Sequence, residues 1–280
     1  MREVSGQAPG LALLLVGDQT DSGAYVRRKE KLAREAGLEV RATHLPDGVT
    51  AAEIMAWVDT CNADPRIHAV LVQLPLPAHV DGRAVVERIR PDKDVDGLHP
   101  LNVAQLALGD AGALVPPTAW GVGHLLTHAL GDDLAGRRAV VIGRSVLVGR
   151  PVAWWLTRAD CTVSVAHRHT RDLADLCRQA EILVAAAGQP GLVRGDWVRP
   201  QAAVIDVGLT GQVAADGVWR MVGDVAHEEV EAVAGYLTPV PGGVGPMTIA
   251  GLLVNTVRLA ALHLGQPDPF DGRSFNPAAR

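Results

Sequence analysis

"VVIGRSVLVGRP", residues 140–151, carries an apolar run into a glycine and then into the helical pattern "RPVAWWLTRAD". Read as strand, turn and helix, it sets the N–H groups of a helix start and the positive end of its dipole where a phosphate would sit. The pattern departs from GxGxxG, because Ser145 stands at the second glycine and the next glycine is Gly149. On its own it is a weak sign of a dinucleotide.

Similar units lie on both sides of it. "LALLLVG" (11–17), "LEVRATHL" (38–45), "HAVLVQLPL" (68–76), "CTVSVAH" (161–167), "EILVAAAG" (181–188) and "AAVIDVGL" (202–209) read as strands. Segments with helical spacing, such as "SGAYVRRKEKLAREAG", separate them. Continuous apolar strands alternating with helices predict parallel sheets covered on both faces, so the expected class is α/β. Pro116 and Pro117 in "LVPPTAWG" mark one division and the loop from Thr238 a second. The predicted organisation is a first lobe of residues 1–117 completed by 238–264, with a Rossmann-like second lobe of 118–237 inserted. The last helix then returns to the first lobe, and a turn-rich tail covers 265–280.

Composition bounds the function. The 280 residues include 48% hydrophobic and 20% charged, as in a soluble globular protein, and their net charge of -5 argues against general affinity for nucleic acid. Cys61, Cys161 and Cys177 share no metal spacing and predict buried thiols in a reducing compartment. No apolar run reaches bilayer length and the start lacks a signal peptide's apolar centre, so no membrane association and a cytoplasmic location are expected.

Chemistry-bearing residues fall at several points. The strand after the glycine turn ends in "AHRHT", with no carboxylate where an NAD-selective fold offers one to the ribose. Arg144 and Arg168 are candidates to face a 2′-phosphate; solvated loop cations are the plain alternative. Tyr25 and Lys29 stand four apart on a predicted helix and share a face. Gln73 follows a strand, and "DKDVDGLHP" sets Asp94 and Asp96 in a DG turn, where turn formation alone would account for them. His167 and His169 have no third ligand at a supporting spacing, so no metal is expected. "TPVPGGVGPMT" (238–248) is stiff and bare, and the helix is predicted to follow it.

The ordered set "YVRRKEK", "VQLPLP", "PDKDVDGLHPLN", "VVIGRSVLVGRP", "IDVGL", "GDV" and "TPVPGGVGPMT" resembles the bifunctional methylenetetrahydrofolate dehydrogenase/methenyltetrahydrofolate cyclohydrolase family over nearly the whole chain. The resemblance implies two α/β lobes flanking a cleft, and a homodimer. It implies oxidation of 5,10-methylenetetrahydrofolate and hydrolysis of the product to 10-formyltetrahydrofolate. Lys29, Gln73 and Asp96 are then the catalytic set: Lys29 serves hydrolysis, Gln73 holds Lys29, and Asp96 grips the pterin. Tyr25 matches the wall over the aminobenzoyl ring, and Ser22, Pro241, Gly242, Gly243 and Thr248 fall on the folate side. Gly143, Arg144, Ser145, Arg168 and Leu209 fall on the cofactor side. The preference for NADP over NAD rests on the two arginines and not on the family, some members of which use NAD. "PPTAWG" departs from the family's PCTP at Pro117 and Ala119, and Ala104 stands where glycine is common.

A ligand sensor without turnover and a different NADP-dependent reductase on a related two-lobe fold are the rival readings. Retention of Lys29 speaks against the first. The joint presence of "VQLPLP" and "KDVDG" speaks against the second.

Overall fold

The computed structural model of the chain describes residues 7–17, 20–213 and 217–270; in the first helix the side chains of residues 20–22 and 24 lie outside the description. The run "GLALLLV" forms β1 (Gly10–Val16), buried throughout. Because strand side chains alternate, Leu11 and Leu13 enter one apolar core while Ala12, Leu14 and Val16 enter another. β1 is the centre of a parallel sheet in the order β2 (Glu39–Leu45), β1, β3 (Ala69–Val72). Helix α1 (Thr20–Glu35) links β1 to β2, and α2 (Ala51–Ala63) links β2 to β3. α2 opens on a reciprocal cap in which Thr50 accepts from the Glu53 N–H and Glu53 accepts from the Thr50 N–H. α3 (Gly82–Arg88) and α4 (Pro100–Leu108) follow.

The next stretch runs α5 (Pro117–Leu130), β4 (Arg138–Ile142), α6 (Gly149–Arg158), β5 (Thr162–Ala166), α7 (Leu173–Arg178), β6 (Ile182–Ala185) and β7 (Ala203–Asp206). An antiparallel hairpin, β8 (Thr210–Val213) and β9 (Trp219–Val222), precedes α8 (His227–Glu231), β10 (Tyr236–Leu237) and α9 (Val244–His263). The larger sheet is parallel in the order β10-β7-β6-β4-β5. From β4 the chain goes to β5 on one side and then to β6 on the other. The winding reverses between β4 and β6, and the carboxyl ends of those strands are where such a sheet takes a ligand.

Contacts divide the chain into two units. One holds the described residues up to Gln105, Gly112–Leu114 and 252–270; the other holds Leu106–Ala111 and Val115–Gly251. Both central parallel strands, β1 and β4, are nearly or wholly buried, as their uninterrupted apolar character predicts.

Four features differ from the sequence expectation. The hairpin and the short β10 were not foreseen, because their segments carry little apolar alternation. Helix α9 begins at Val244 and not after Thr248. Pro246 is compatible with that start because the first turn of a helix uses no N–H of its own. By length and composition α9 also suffices to cross a bilayer, contrary to the reading of no such run. Its buried Asn255, Thr256 and Arg258, with Leu252 and Leu259 in the core of the first unit, mark it as a core helix here.

Candidate active site

One cluster forms within the first unit. α1 presents Tyr25 and Lys29 on a common face, and the Lys29 ammonium lies 4.5 Å from the Tyr25 ring centroid. Lys29 Nζ donates to Gln73 Oε1 at 3.0 Å. Gln73 leaves the end of β3, where its backbone N–H donates to Leu14 O at 2.8 Å. Its side-chain nitrogen donates to Leu74 O at 2.8 Å, so Oε1 is the atom turned to the lysine. Lys29 is 6% exposed. Burial lowers its pKa below the ordinary lysine value, and the Asp96 charge acts in the opposite direction. Burial pushes Asp96 up to about 6, with Lys29 opposing and Asp94 assisting. As a residue Asp96 keeps intermediate exposure.

The turn that carries Asp96 is built by its neighbours. Lys93 Nζ donates to the carbonyls of Cys61, Asn62 and Asp64 at the end of α2, at 2.9 to 3.0 Å. Buried Asp94 accepts from the His99 N–H at 2.7 Å and from Asn102 Nδ2 at 2.8 Å. Gly97 takes a positive φ of 68°, which glycine permits without strain. Asn255 of α9 donates to Val95 O at 3.0 Å. In "KDVDG", then, Lys93 and Asp94 fold the turn and Asp96 is left near Lys29. Ser22 lies in α1, with its side chain outside the described residues.

A second group forms within the other unit, beyond the carboxyl ends of β4 and β5. Gly143 has φ 128°, and a Cβ there would come within 2.1 Å of Ala186 O. A Cβ on Gly149 would come within 2.1 Å of Gly143 O, so the start of α6 is pressed against the turn. Ser145 spans the turn, accepting the Val148 N–H on Oγ at 3.1 Å and the Arg150 N–H on its carbonyl at 3.0 Å. Arg144, Arg168 and Leu209 are exposed; Arg168 Nε donates to His169 Nε2 at 3.1 Å. Among the described residues no group of three or more His, Cys, Asp or Glu is placed to hold a metal.

The proline and glycine loop belongs to this same unit. Gly242 has φ 114°, and a Cβ on Gly243 would meet Pro239 O at 2.6 Å. The Val240–Pro241 peptide is cis, as is Leu74–Pro75 in the first unit. Thr248 lies in the second turn of α9, donating to Val244 O at 3.2 Å with its oxygen 3.4 Å from that of Thr118.

With both groups in place, comparison with known proteins decides the family. Residues 1–96 match the tetrahydrofolate dehydrogenase/cyclohydrolase catalytic domain, and residues 116–264 match the NAD(P)-binding domain of the same family. The chain belongs to the tetrahydrofolate dehydrogenase/cyclohydrolase family. It is 53% identical over 263 residues to bifunctional protein FolD 3 of Rhizorhabdus wittichii, covering 94% of this chain and 85% of that protein. The bifunctional FolD methylenetetrahydrofolate dehydrogenase/cyclohydrolase of Campylobacter jejuni superposes with a TM-score of 0.88 at 45% identity, over 93% of this chain and 90% of that one. The FolD of Trypanosoma brucei, solved with NADP cofactor and inhibitor, gives 0.89 at 43% identity, over 93% and 89%.

A tetrahydrofolate dehydrogenase/cyclohydrolase takes a nicotinamide dinucleotide, and the residues here fit one. The glycine turn leaves room for nothing larger than hydrogen at residues 143 and 149, and a helix of ten residues starts behind it. Exposed arginines stand after β4 and β5, and no carboxylate stands at the end of β5. Two residues of this family member escaped the sequence reading. Asp206 and Asp224 are buried carboxylates that tie the loops beyond β6 and β7; only their presence in "IDVGL" and "GDV" hinted at them.

Proposed function

We propose that the chain oxidises 5,10-methylenetetrahydrofolate to 5,10-methenyltetrahydrofolate with NADP⁺ and hydrolyses that product to 10-formyltetrahydrofolate. The observation that carries the hydrolytic half is the buried Lys29 ammonium held by Gln73, because a lysine takes a proton at neutral pH only when its pKa is brought down. Bound NADP⁺ supplies a hydride acceptor. The hydride leaves a carbon between two nitrogens, which stabilise the cation, so no general base is asked of the protein for that step; positioning does the work.

In the hydrolytic step Lys29 accepts a proton from the water whose oxygen bonds to the methenyl carbon. The bond from that carbon to the ring nitrogen then breaks as the added hydroxyl becomes the formyl carbonyl; the proton the hydroxyl releases passes to the nitrogen, and the proton on Lys29 returns to solvent, leaving the 10-formyl product. Gln73 Oε1 keeps the amine aimed, Asp96 grips the pterin, and Tyr25 packs on the aminobenzoyl ring. Pro241, Gly242, Gly243 and Thr248, with Ser22, complete the folate side. Gly143 and Ser145 would hold the pyrophosphate and Arg144 and Arg168 would face the 2′-phosphate, with Leu209 also on the cofactor side. By function we assign residues 1–117 with 238–264 to the folate and 118–237 to the dinucleotide; by contacts Val115–Gly251 group with the second unit. A homodimer is supported by the hairpin β8–β9, whose Val213, Val218 and Trp219 are exposed; light scattering on the purified chain checks it. We infer a cytoplasmic location without membrane partners, and the net charge of -5 speaks against general affinity for nucleic acid.

The test follows methenyltetrahydrofolate by absorbance with methylenetetrahydrofolate and NADP⁺. Transient appearance and decay of the signal is expected. Absence of any NADP⁺-dependent signal from folded protein would overturn the proposal.

A further inference from the structure

The geometry points to Asp224, steadied by Asp206, as the residue that positions the loop Ala186–Gly188 for dinucleotide binding. This rests on the dinucleotide reading above and adds a residue to it. The loop leaves β6, and β6 with β4 forms the place where the winding of the larger sheet reverses. Gly143, at the end of β4, has no room for a Cβ because Ala186 O fills that place. The two loops that border the crevice are therefore already in contact, and the path of residues 186–188 decides the shape of one wall.

That path is held by a carboxylate. Asp224 Oδ2 accepts the N–H groups of Ala187 at 2.6 Å and Gly188 at 2.9 Å, and Gly188 turns the chain with φ 67°. Asp224 is fully buried while Ala187 and Gly188 reach the surface, so these short bonds tie an exposed loop to an anchor inside the unit. Asp206 holds Asp224 in turn. Its Oδ1 accepts the N–H groups of Asp224 at 2.9 Å and Gly208 at 3.0 Å, and its Oδ2 accepts that of Val225 at 3.0 Å. Thr238 joins the assembly by accepting the Asp206 N–H at 2.8 Å.

The two motifs interlock through their glycines. A Cβ on Gly208 would lie 2.4 Å from Asp224 Oδ1, and a Cβ on Gly223 would lie 1.9 Å from Asp206 Oδ2. Each glycine thus makes room for the other motif's carboxylate, which explains why "IDVG" and "GDV" need glycine beside aspartate. Among the described residues Asp224 Oδ1 has no hydrogen-bond partner. Burying two carboxylates this close is costly, and burial with the Asp224 charge pushes Asp206 up to about 6. A chain that needed only a stable turn has cheaper means than a paired buried carboxylate. The arrangement is suited to holding backbone N–H groups in fixed directions at a binding wall.

Asp224 touches neither substrate nor reacting atoms in this account, so its loss should appear first in cofactor affinity. Asp224→Ala removes the acceptor that fixes the Ala187 and Gly188 N–H groups, and with the loop no longer held the calorimetric Kd for NADP⁺ should rise roughly tenfold or more. Hydrogen exchange at 186–188 in the cofactor-free protein should quicken. Cyclohydrolase turnover of supplied methenyltetrahydrofolate should stay within about threefold of wild type, since Lys29 and Gln73 belong to the other unit. Asp224→Asn keeps one oxygen for both N–H groups and should recover most of the affinity; it also serves as the test if the alanine variant does not fold. Unchanged NADP⁺ affinity in folded Asp224→Ala overturns the inference, as does a folded Asp224→Asn variant as weak as alanine. Parallel loss of both activities also overturns it. A wild type that binds no NADP⁺ overturns the dinucleotide reading itself, which separates the two failures.

Discussion

Lys29 and Gln73, 44 residues apart, meet through a 3.0 Å hydrogen bond from ammonium to amide oxygen in a setting where the lysine is almost wholly buried. The amide cannot neutralise the charge. It aims the amine while burial lowers its proton affinity, and those two effects together make a lysine useful as a base near neutrality.

Lys29→Met should reduce cyclohydrolase activity by ~10²-fold or more while substantial dehydrogenase activity survives, so methenyltetrahydrofolate accumulates. Its melting temperature should be no lower than that of wild type. The folded chain binds the Lys29 proton less tightly than the unfolded chain does, so the charged lysine costs stability at neutral pH and methionine removes that cost. Equal loss of both activities in a folded variant would contradict the division of labour.

Gln73→Glu tests the pKa argument. A carboxylate at this place favours the protonated amine and raises the Lys29 pKa back toward 10.5, so the cyclohydrolase pH profile should move to higher pH. The dehydrogenase profile should move less. An unmoved cyclohydrolase profile would remove Lys29 as the titrating base.

Arg144→Ala and Arg168→Ala test cofactor choice. Each charge-assisted contact to a 2′-phosphate contributes on the order of tenfold to a hundredfold in preference. The ratio of kcat/KM for NADP⁺ over NAD⁺ should exceed one in wild type, fall in each variant and fall furthest in the double variant. A ratio unchanged by loss of both arginines would assign them to solvent.

His68 should set part of the acid stability. Its Nδ1 accepts the Gly10 N–H at 2.9 Å, and burial, with the nearby His263 and Lys93 charges, holds its pKa below 6.5. The folded chain keeps this ring neutral, and the unfolded chain protonates it at the ordinary value. Stability from this site is therefore present above pH 6.5 and is lost as the pH falls toward the lowered folded value. Thermal unfolding between about pH 7.5 and 5.5 should show a smaller loss in His68→Gln than in wild type; the same loss in both would show that His68 does not contribute.

Much of this protein was legible in the sequence because its signals are local. Short runs rich in Val, Leu and Ala named seven of the parallel strands, and the glycine turn before α6 was recognisable from the spacing of Gly143, Ser145 and Gly149. Tyr25 and Lys29 could be placed on one face by helical geometry alone. The hairpin β8–β9 was not legible, because its two exposed strands owe little to apolar alternation. Nor was the early start of α9, where proline and glycine suggested loop although the first turn of a helix tolerates both.

What only the tertiary structure decided is which polar residues meet. Sequence spacing says nothing about whether Gln73 reaches Lys29 or a backbone group, and their contact depends on α1 and β3 packing in one unit. In "KDVDG" three charged residues look alike on paper, and folding gives Lys93 to helix α2, Asp94 to the turn and Asp96 to the neighbourhood of Lys29. Asp206 and Asp224 carry no local mark in the sequence, and only the fold brings their carboxylates together and buries both. Local periodicity determines which strands and helices form, because that choice is made by neighbours in the chain. The charge state and direction of a buried side chain come from residues far away in sequence, so they follow only from the fold.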